Sequence, residues 1–325
     1  MPPAYFEAGF SVREPLWHGL GVVLPDSPDW DQVPVLAGWP LSVERRPVYF
    51  DPDPDGDGDL LACEGFDALV DTSTDTFISM ASETYGIVQP ETMVEVLQAL
   101  AGAGAVPETA GALRGYRQLW ALAKLPKEYM VDGDTYLAYV SVHNSFDGSL
   151  AFQAARHGVR VVCANTQDLA LTEASKRGNL YRWKHTSRVM DRIEEAKAVV
   201  MGTEQAMQEF VDLAGDLAKL KVSVGATSRF LEKFIPSPPE ALATDRALRN
   251  ISEARKAVLA ILHGESGTIQ TKHSRTAYGL FVAGVEYLDY IRPAKSKDTM
   301  FGRAILTPDK AKAHLLKLAT TAAKA

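Results

Sequence analysis

The sequence predicts an α+β fold, an antiparallel sheet flanked by helices and followed by a mostly helical C-terminal region. Three observations predict it. Between Pro40 and Cys163, short stretches alternate apolar and polar residues with a period of two and are separated by turn residues, the pattern of half-buried strands. Beyond Thr166 the apolar spacing lengthens to that of an amphipathic helix. The charge changes in the same region. Residues 1–150 carry 7 Lys+Arg against 23 Asp+Glu and residues 151–325 carry 27 against 18, so the net −7 divides into −16 and +9. A division into an α+β core over 1–186 and a helical region over 187–325 is expected, since 325 residues lie near the limit of a single core.

Composition sets the outer limits. Hydrophobic residues make up 46% and charged residues 23%, ordinary for a globular protein. No apolar run approaches the ~18 residues of a membrane span. The N-terminal stretch has no basic and apolar leader pattern, and Cys63 and Cys163 make no disulfide framework. A cytoplasmic protein with no membrane partner is the expectation. The charge division points to a polyanionic partner or to packing of the acidic half on the basic half.

The elements follow in order. Ser27-Pro28 has the capping chemistry of a helix start, giving a short helix over Asp29 to Gly38. Pro40 to Phe50 reads as a strand. Asp53 to Glu64 matches the spacing of a calcium loop, yet Phe50-Asp51-Pro52 cannot end an entering helix, so an acidic hairpin tip competes with that reading. Thr76 to Val88 reads as strand, turn and strand. Pro90 opens a helix to about Ala101, with Met93, Val96, Leu97 and Leu100 on one face. Thr109 to Leu125 is the next strand region, Val131 to Asp134 is a tight turn, and Tyr136 to His143 is a further strand. Asn144 to Gly148 makes a hairpin turn. Leu150 to Ala155 and Val159 to Cys163 read as two strands joined by a basic turn, Arg156-His157-Gly158, and a helix is expected from Thr166 to about Lys176. Ser187 caps a long helix to about Lys221 with Val189, Ile193, Ala196, Val200, Met207, Phe210, Ala214 and Leu217 as its stripe, and Gly202 and Gly215 mark bending or close packing. Pro236 to Pro239 is the linker candidate, with helices beyond it at about 240–263 and 274–291. Thr307-Pro308 starts a last one.

The densest basic segment is Ser175 to Arg192. Lys176, Arg177, Arg182, Lys184, Arg188 and Arg192 are interleaved there with Tyr181, Trp183 and His185, the residue types that hold phosphates by charge and stack bases on rings. Arg156 and Arg160 precede it. An arginine in mid-strand, as Arg160 is, needs a carboxylate partner or an anionic ligand. The competing explanation for the segment is a solvated loop leading into a helix.

Catalytic signatures are missing: there is no P-loop, no G-x-G-x-x-G after a strand, no H-E-x-x-H and no G-x-S-x-G. Cys163 with His185 could pair as nucleophile and base, but Cys163 falls on an apolar strand face, where a thiol is inert. His143 with Asp147 could hold a metal, but Asp147 before Gly148 is explained by turn chemistry. No catalytic residue, metal or cofactor is assigned.

Several stretches carry a resemblance. They are Trp17 to Gly21, Tyr85 to Gln89, the Gly115 to Leu125 strand with Trp120, the His143 to Ser149 turn, Val159 to Thr166, and His185-Thr186. Together they resemble a family of domains of unknown function found in phages, prophages and plasmids, over roughly residues 15–290. Phe146 stands where the resemblance implies a histidine, so the turn is given no metal or catalytic role. The order of helix, antiparallel strands and helix is in turn similar to single-strand annealing proteins of the Erf and Redβ groups. That similarity implies a non-enzymatic, cofactor-free protein that forms rings or filaments and binds single-stranded DNA in homologous recombination. The expected contacts are Arg156, Arg160, Lys176, Arg177, Arg182, Lys184 and Arg188 for phosphates, Tyr181 and Trp183 for bases, with His185 beside them. The alternatives are a self-assembling scaffold or host-interaction protein, and a metal-dependent enzyme acting on nucleic acid.

Overall fold

The computed structural model describes residues 6–13, 20–53, 59–160, 165–168, 180–293 and 310–324. Strands β1 (Phe6–Val12), β2 (Val22–Leu24), β6 (Val106–Leu113), β7 (Gln118–Val131), β8 (Asp134–Ser145), β9 (Phe152–Arg160) and β10 (Asn165–Asp168) form the larger sheet. Their order is β10-β9-β8-β7-β6-β1-β2, with β11 (Leu180–Trp183) pairing β9 off that path. Apart from the parallel β1–β2 pair, every register defined in it is antiparallel. Strands β3 (Val43–Phe50), β4 (Leu61–Asp71) and β5 (Thr76–Ser82) make a second, antiparallel sheet. The helices are α1 (Val33–Leu36), α2 (Pro90–Gln98), α3 (Ile193–Met201), α4 (Thr203–Lys219), α5 (Val224–Phe234), α6 (Asp245–Leu262), α7 (Ala277–Glu286) and α8 (Lys310–Ala322). The α+β class and the C-terminal concentration of helices hold.

The chain forms two compact units, each built from three stretches. Unit 1 is Met1–Pro126, Tyr139–Arg156 and Leu180–Thr203, and unit 2 is Lys127–Ala138, His157–Asn179 and Glu204–Ala325. Strands β7, β8 and β9 each pass from one unit to the other. Residue 187 therefore separates strand-rich from helix-rich sequence without delimiting a unit.

Local chemistry accounts for the elements read correctly. Asp132 and Gly133 both take left-handed φ, +42° and +87°, the two-residue geometry that matches the twist of the β7–β8 hairpin. Pro90 occupies the first turn of α2, where its missing N–H costs nothing, and Met93, Val96, Leu97 and Leu100 are all buried. In unit 2 every residue of α7 is buried. A β-carbon at Gly284 would meet the Leu315 side chain, so α7 and α8 lie in close contact. Glu286, the last residue of α7, leads into a π-helical turn, Tyr287–Ile291.

Five readings need correction. Arg156-His157-Gly158 is no turn: β9 runs through it, because His157 and Gly158 pair with Asp168 and Gln167 and none of the three has a left-handed φ. Asn165 to Asp168 is accordingly a strand, whereas a helix was expected from Thr166; the remainder of that expected helix lies outside the described residues. Only one strand, β5, falls within Thr76 to Val88. The long helix from Ser187 is two, since Gly202 interrupts it. The Arg156 guanidinium donates from Nε and Nη2 to the Val199 carbonyl, at 3.0 and 2.6 Å, and a β-carbon at residue 202 would lie 2.9 Å from that guanidinium. Finally, α5 forms where no helix was expected, capped by Ser223 and burying Ala226, Phe230 and Leu231. The expected helix stripe survives the break at Gly202: Ile193, Ala196 and Val200 are buried on α3, and Met207, Phe210, Ala214 and Leu217 on α4.

Candidate functional site

In unit 1, β11 pairs antiparallel with β9, setting Tyr181 against Ala154, Arg182 against Gln153 and Trp183 against Phe152. The strand pleat then places Tyr181 and Trp183 on one face and Arg182 on the other. Trp183 is only 4% exposed. Its ring lies 5.9 Å from that of Phe152, and Nε1 donates to Glu195 of α3 at 3.1 Å. It is a core residue, not an open stacking platform, and its expected contact with a base is corrected on that ground. Glu195 is what fixes the indole.

Tyr181 is half-buried. Its ring is nearly parallel to that of Trp183, at 6.4 Å and 18°, and the Arg156 guanidinium lies over it at 5.3 Å. Cation and ring attract each other in this arrangement. Because Arg156 also donates to the end of α3, its charge is held in a fixed position beside Tyr181. Arg182 is exposed and donates from Nε to Gln153 Oε1 at 3.3 Å. Lys184 and Arg188 are exposed, and among the described residues neither side chain enters an ion pair.

His185 occupies a different environment. Its ring stacks on Tyr85 at 4.7 Å and 16°, and Nδ1–H donates to the Gly86 carbonyl at 2.9 Å. The Gly86 N–H returns a bond to the His185 carbonyl at 3.1 Å, and a side chain on Gly86 would collide with the Thr186 carbonyl. Burial lowers the His185 pKa from its ordinary 6.5, favouring the neutral ring. Tyr85 in turn donates to the Ser145 carbonyl at 2.6 Å, and burial raises the pKa of its hydroxyl. Three stretches that carry the family resemblance, Tyr85-Gly86, His143 to Ser149 and His185-Thr186, thus meet in one place. Sequence reasoning assigned no role there to Tyr85 or Gly86, although the resemblance had singled both out.

The His143 to Ser149 turn is engaged internally. Asn144 Nδ2 donates to the Val88 carbonyl at 2.9 Å, and the Phe146 N–H donates to the Arg117 carbonyl at 2.8 Å. Asp147 Oδ1 accepts from the Ser149 N–H at 3.0 Å, while Gly148 takes a φ of +72°. Asp147 is a turn stabiliser. His143 is buried with Nε2 3.1 Å from Ser141 Oγ.

Arg160 belongs to unit 2 and is fully buried. Nη1 donates to Asp134 Oδ2 at 3.2 Å, and Nη2 lies 2.5 Å from Thr268 Oγ1 and 3.4 Å from Glu286 Oε2. Asp134 also accepts from Tyr278 at 2.7 Å and from Gln270 at 2.9 Å, and the Tyr278 and Tyr136 hydroxyls are 2.6 Å apart. Of the two partners open to a mid-strand arginine, the carboxylates hold this one, and a phosphate contact from Arg160 is corrected to a structural ion pair. Lys176, Arg177 and Cys163 lie outside the described residues, as do residues 54–58 of the acidic Asp53 to Glu64 stretch. Among the described residues no three His, Cys, Asp or Glu side chains are grouped to hold a metal ion, and no helix is long and apolar enough to cross a membrane.

Neither the curated proteins nor the solved structures contain a match to this chain. A family model does match, over residues 77–306, a span that takes in β5 through β11 and both the Tyr85–His185 contact and the basic strip, so the chain belongs to the family described as a domain of unknown function (DUF932).

Proposed function

We propose that this protein binds single-stranded DNA and promotes strand annealing in homologous recombination, acting in the cytoplasm without a nucleotide cofactor. One observation carries the reading: Arg182, Lys184 and Arg188 project from a single short segment of an otherwise acidic N-terminal unit, and among the described residues no carboxylate neutralises Lys184 or Arg188. Cations left uncompensated along one stretch fit a phosphate backbone. Tyr181, half-exposed on the face of β11 opposite Arg182 and with the Arg156 guanidinium over its ring, is an aromatic group of the same segment suited to stacking on a base. The contact set is therefore Tyr181, Arg182, Lys184 and Arg188, with Arg156 as a positioning residue.

The test is fluorescence anisotropy of a labelled single-stranded oligonucleotide over a salt series, with matched duplex as competitor. The expected result is a preference for the single strand and a log affinity that falls linearly with log salt. Absence of binding at low salt would overturn the reading. Annealing of complementary strands would then be followed with the same protein.

A further inference from the structure

The small sheet of unit 1 carries an arm. Strand β5 pairs with β4 only from Asp71 to Phe66, whereas β3 and β4 continue past that point to the pairs Tyr49–Ala62 and Phe50–Leu61. The continuation is a two-stranded ribbon, which alone buries too little to be stable in water. It nevertheless exposes Tyr49, Phe50, Leu60 and Leu61, each about half exposed or more, with Leu60 at 61%. Exposed aromatic and aliphatic side chains concentrated on a ribbon mark a surface that another surface covers. Asp51, Asp53, Asp59 and Glu64 are exposed beside them and give the ribbon a strongly negative charge. Those carboxylates exclude a nucleic acid as occupant and require a cationic one with apolar groups of its own.

The Tyr181 to Met190 stretch has that chemistry. Arg182, Lys184 and Arg188 supply the charge, and Met190, 49% exposed, supplies an apolar contact. We infer that the β3–β4 arm of one copy docks on the Tyr181–Met190 strip of a second copy. Arm and strip are different surfaces, so the contact is head-to-tail and propagates into a ring or a filament. The inference rests on the charge and exposure of the two surfaces and does not depend on DNA binding. If the strip also holds single-stranded DNA, the arm competes for it.

Sedimentation of the full-length protein without nucleic acid, at low and high salt, tests this, together with two charge reversals. Asp51→Lys/Asp53→Lys reverses the arm, and Arg182→Glu/Arg188→Glu reverses the strip; circular dichroism and thermal melts check that both fold. The wild type should self-associate in a salt-sensitive way. Each reversed variant alone should associate at least about tenfold more weakly, as close charged pairs across an interface contribute at least that much. An equimolar mixture of the two variants should reassemble, because each reversed surface then meets an opposite charge. A wild-type monomer at all salts, an oligomer indifferent to both reversals, or a mixture that stays dissociated would each overturn the inference. Anisotropy with labelled single strand on the arm variant separates this outcome from the DNA reading, since that variant keeps the strip intact.

Discussion

In unit 2 the Arg160 guanidinium is fully buried between Asp134 and Glu286, whereas in unit 1 Arg182, Lys184 and Arg188 stand exposed on one short segment. All four are cations of the same basic half of the sequence, and only the fold separates their roles. The carboxylates that take up Arg160 come from far along the chain, at positions 134 and 286, and Tyr278, Gln270 and Thr268 complete the network. A fully compensated cation contributes to the core and offers nothing to a ligand; an uncompensated exposed one does the reverse. The same contrast divides the aromatic residues, with Trp183 fixed by Phe152 and Glu195 and Tyr181 left half-open beside Arg156.

The largest test of that contrast is Arg160→Ala. Removing the cation leaves Asp134 and Glu286 buried without it, a loss of about 3–5 kcal/mol. Urea denaturation should register it, with the single-strand affinity of the folded fraction unchanged. Trp183→Ala should follow closely, costing about 3–5 kcal/mol of stability because it empties a packed site. A Trp183→Ala variant that melts like the wild type but loses DNA would reverse the assignments of Trp183 and Tyr181. Tyr181→Ala is expected to lower single-strand affinity by about 1–3 kcal/mol with a much smaller change in melting temperature. The smallest effect belongs to Lys184→Ala and Arg188→Ala, each expected to reduce the slope of log affinity against log salt by about 0.7 and to leave the fold intact.

What the sequence made legible is local. The Asp132-Gly133 turn, the proline start of α2 and the stripes of α3 and α4 depend on neighbours within a few residues, and all appear as read. What it concealed depends on partners remote in the chain. Arg156-His157-Gly158 has the composition of a turn, and only the pairing of His157 and Gly158 with Asp168 and Gln167 makes it strand. Trp183 has the composition of a stacking residue, and only Phe152 and Glu195 make it core. Of the residues expected to contact a ligand, Arg160 and Trp183 are withdrawn into the core, because burial decides which cations and rings are available and burial is a property of the fold. The α5 helix is the exception: Ser223 and the spacing of Ala226, Phe230 and Leu231 are local signals that went unread.

The interleaving of the two units bears on how the protein is made. Unit 1 is completed by Leu180–Thr203, and unit 2 joins Lys127–Ala138 to residues beyond Thr203, so neither can close while the ribosome is still translating the middle of the chain. Strands β6 to β9 pair with their sequence neighbours, but β11, α3 and α7 emerge later, and each unit closes only through contacts across many intervening residues. Such long-range closure makes folding slow. It also means that a nascent chain halted before Thr203 holds no finished unit, so a stalled or truncated product would expose strand edges and pass to chaperones or proteases instead of surviving as a smaller working domain.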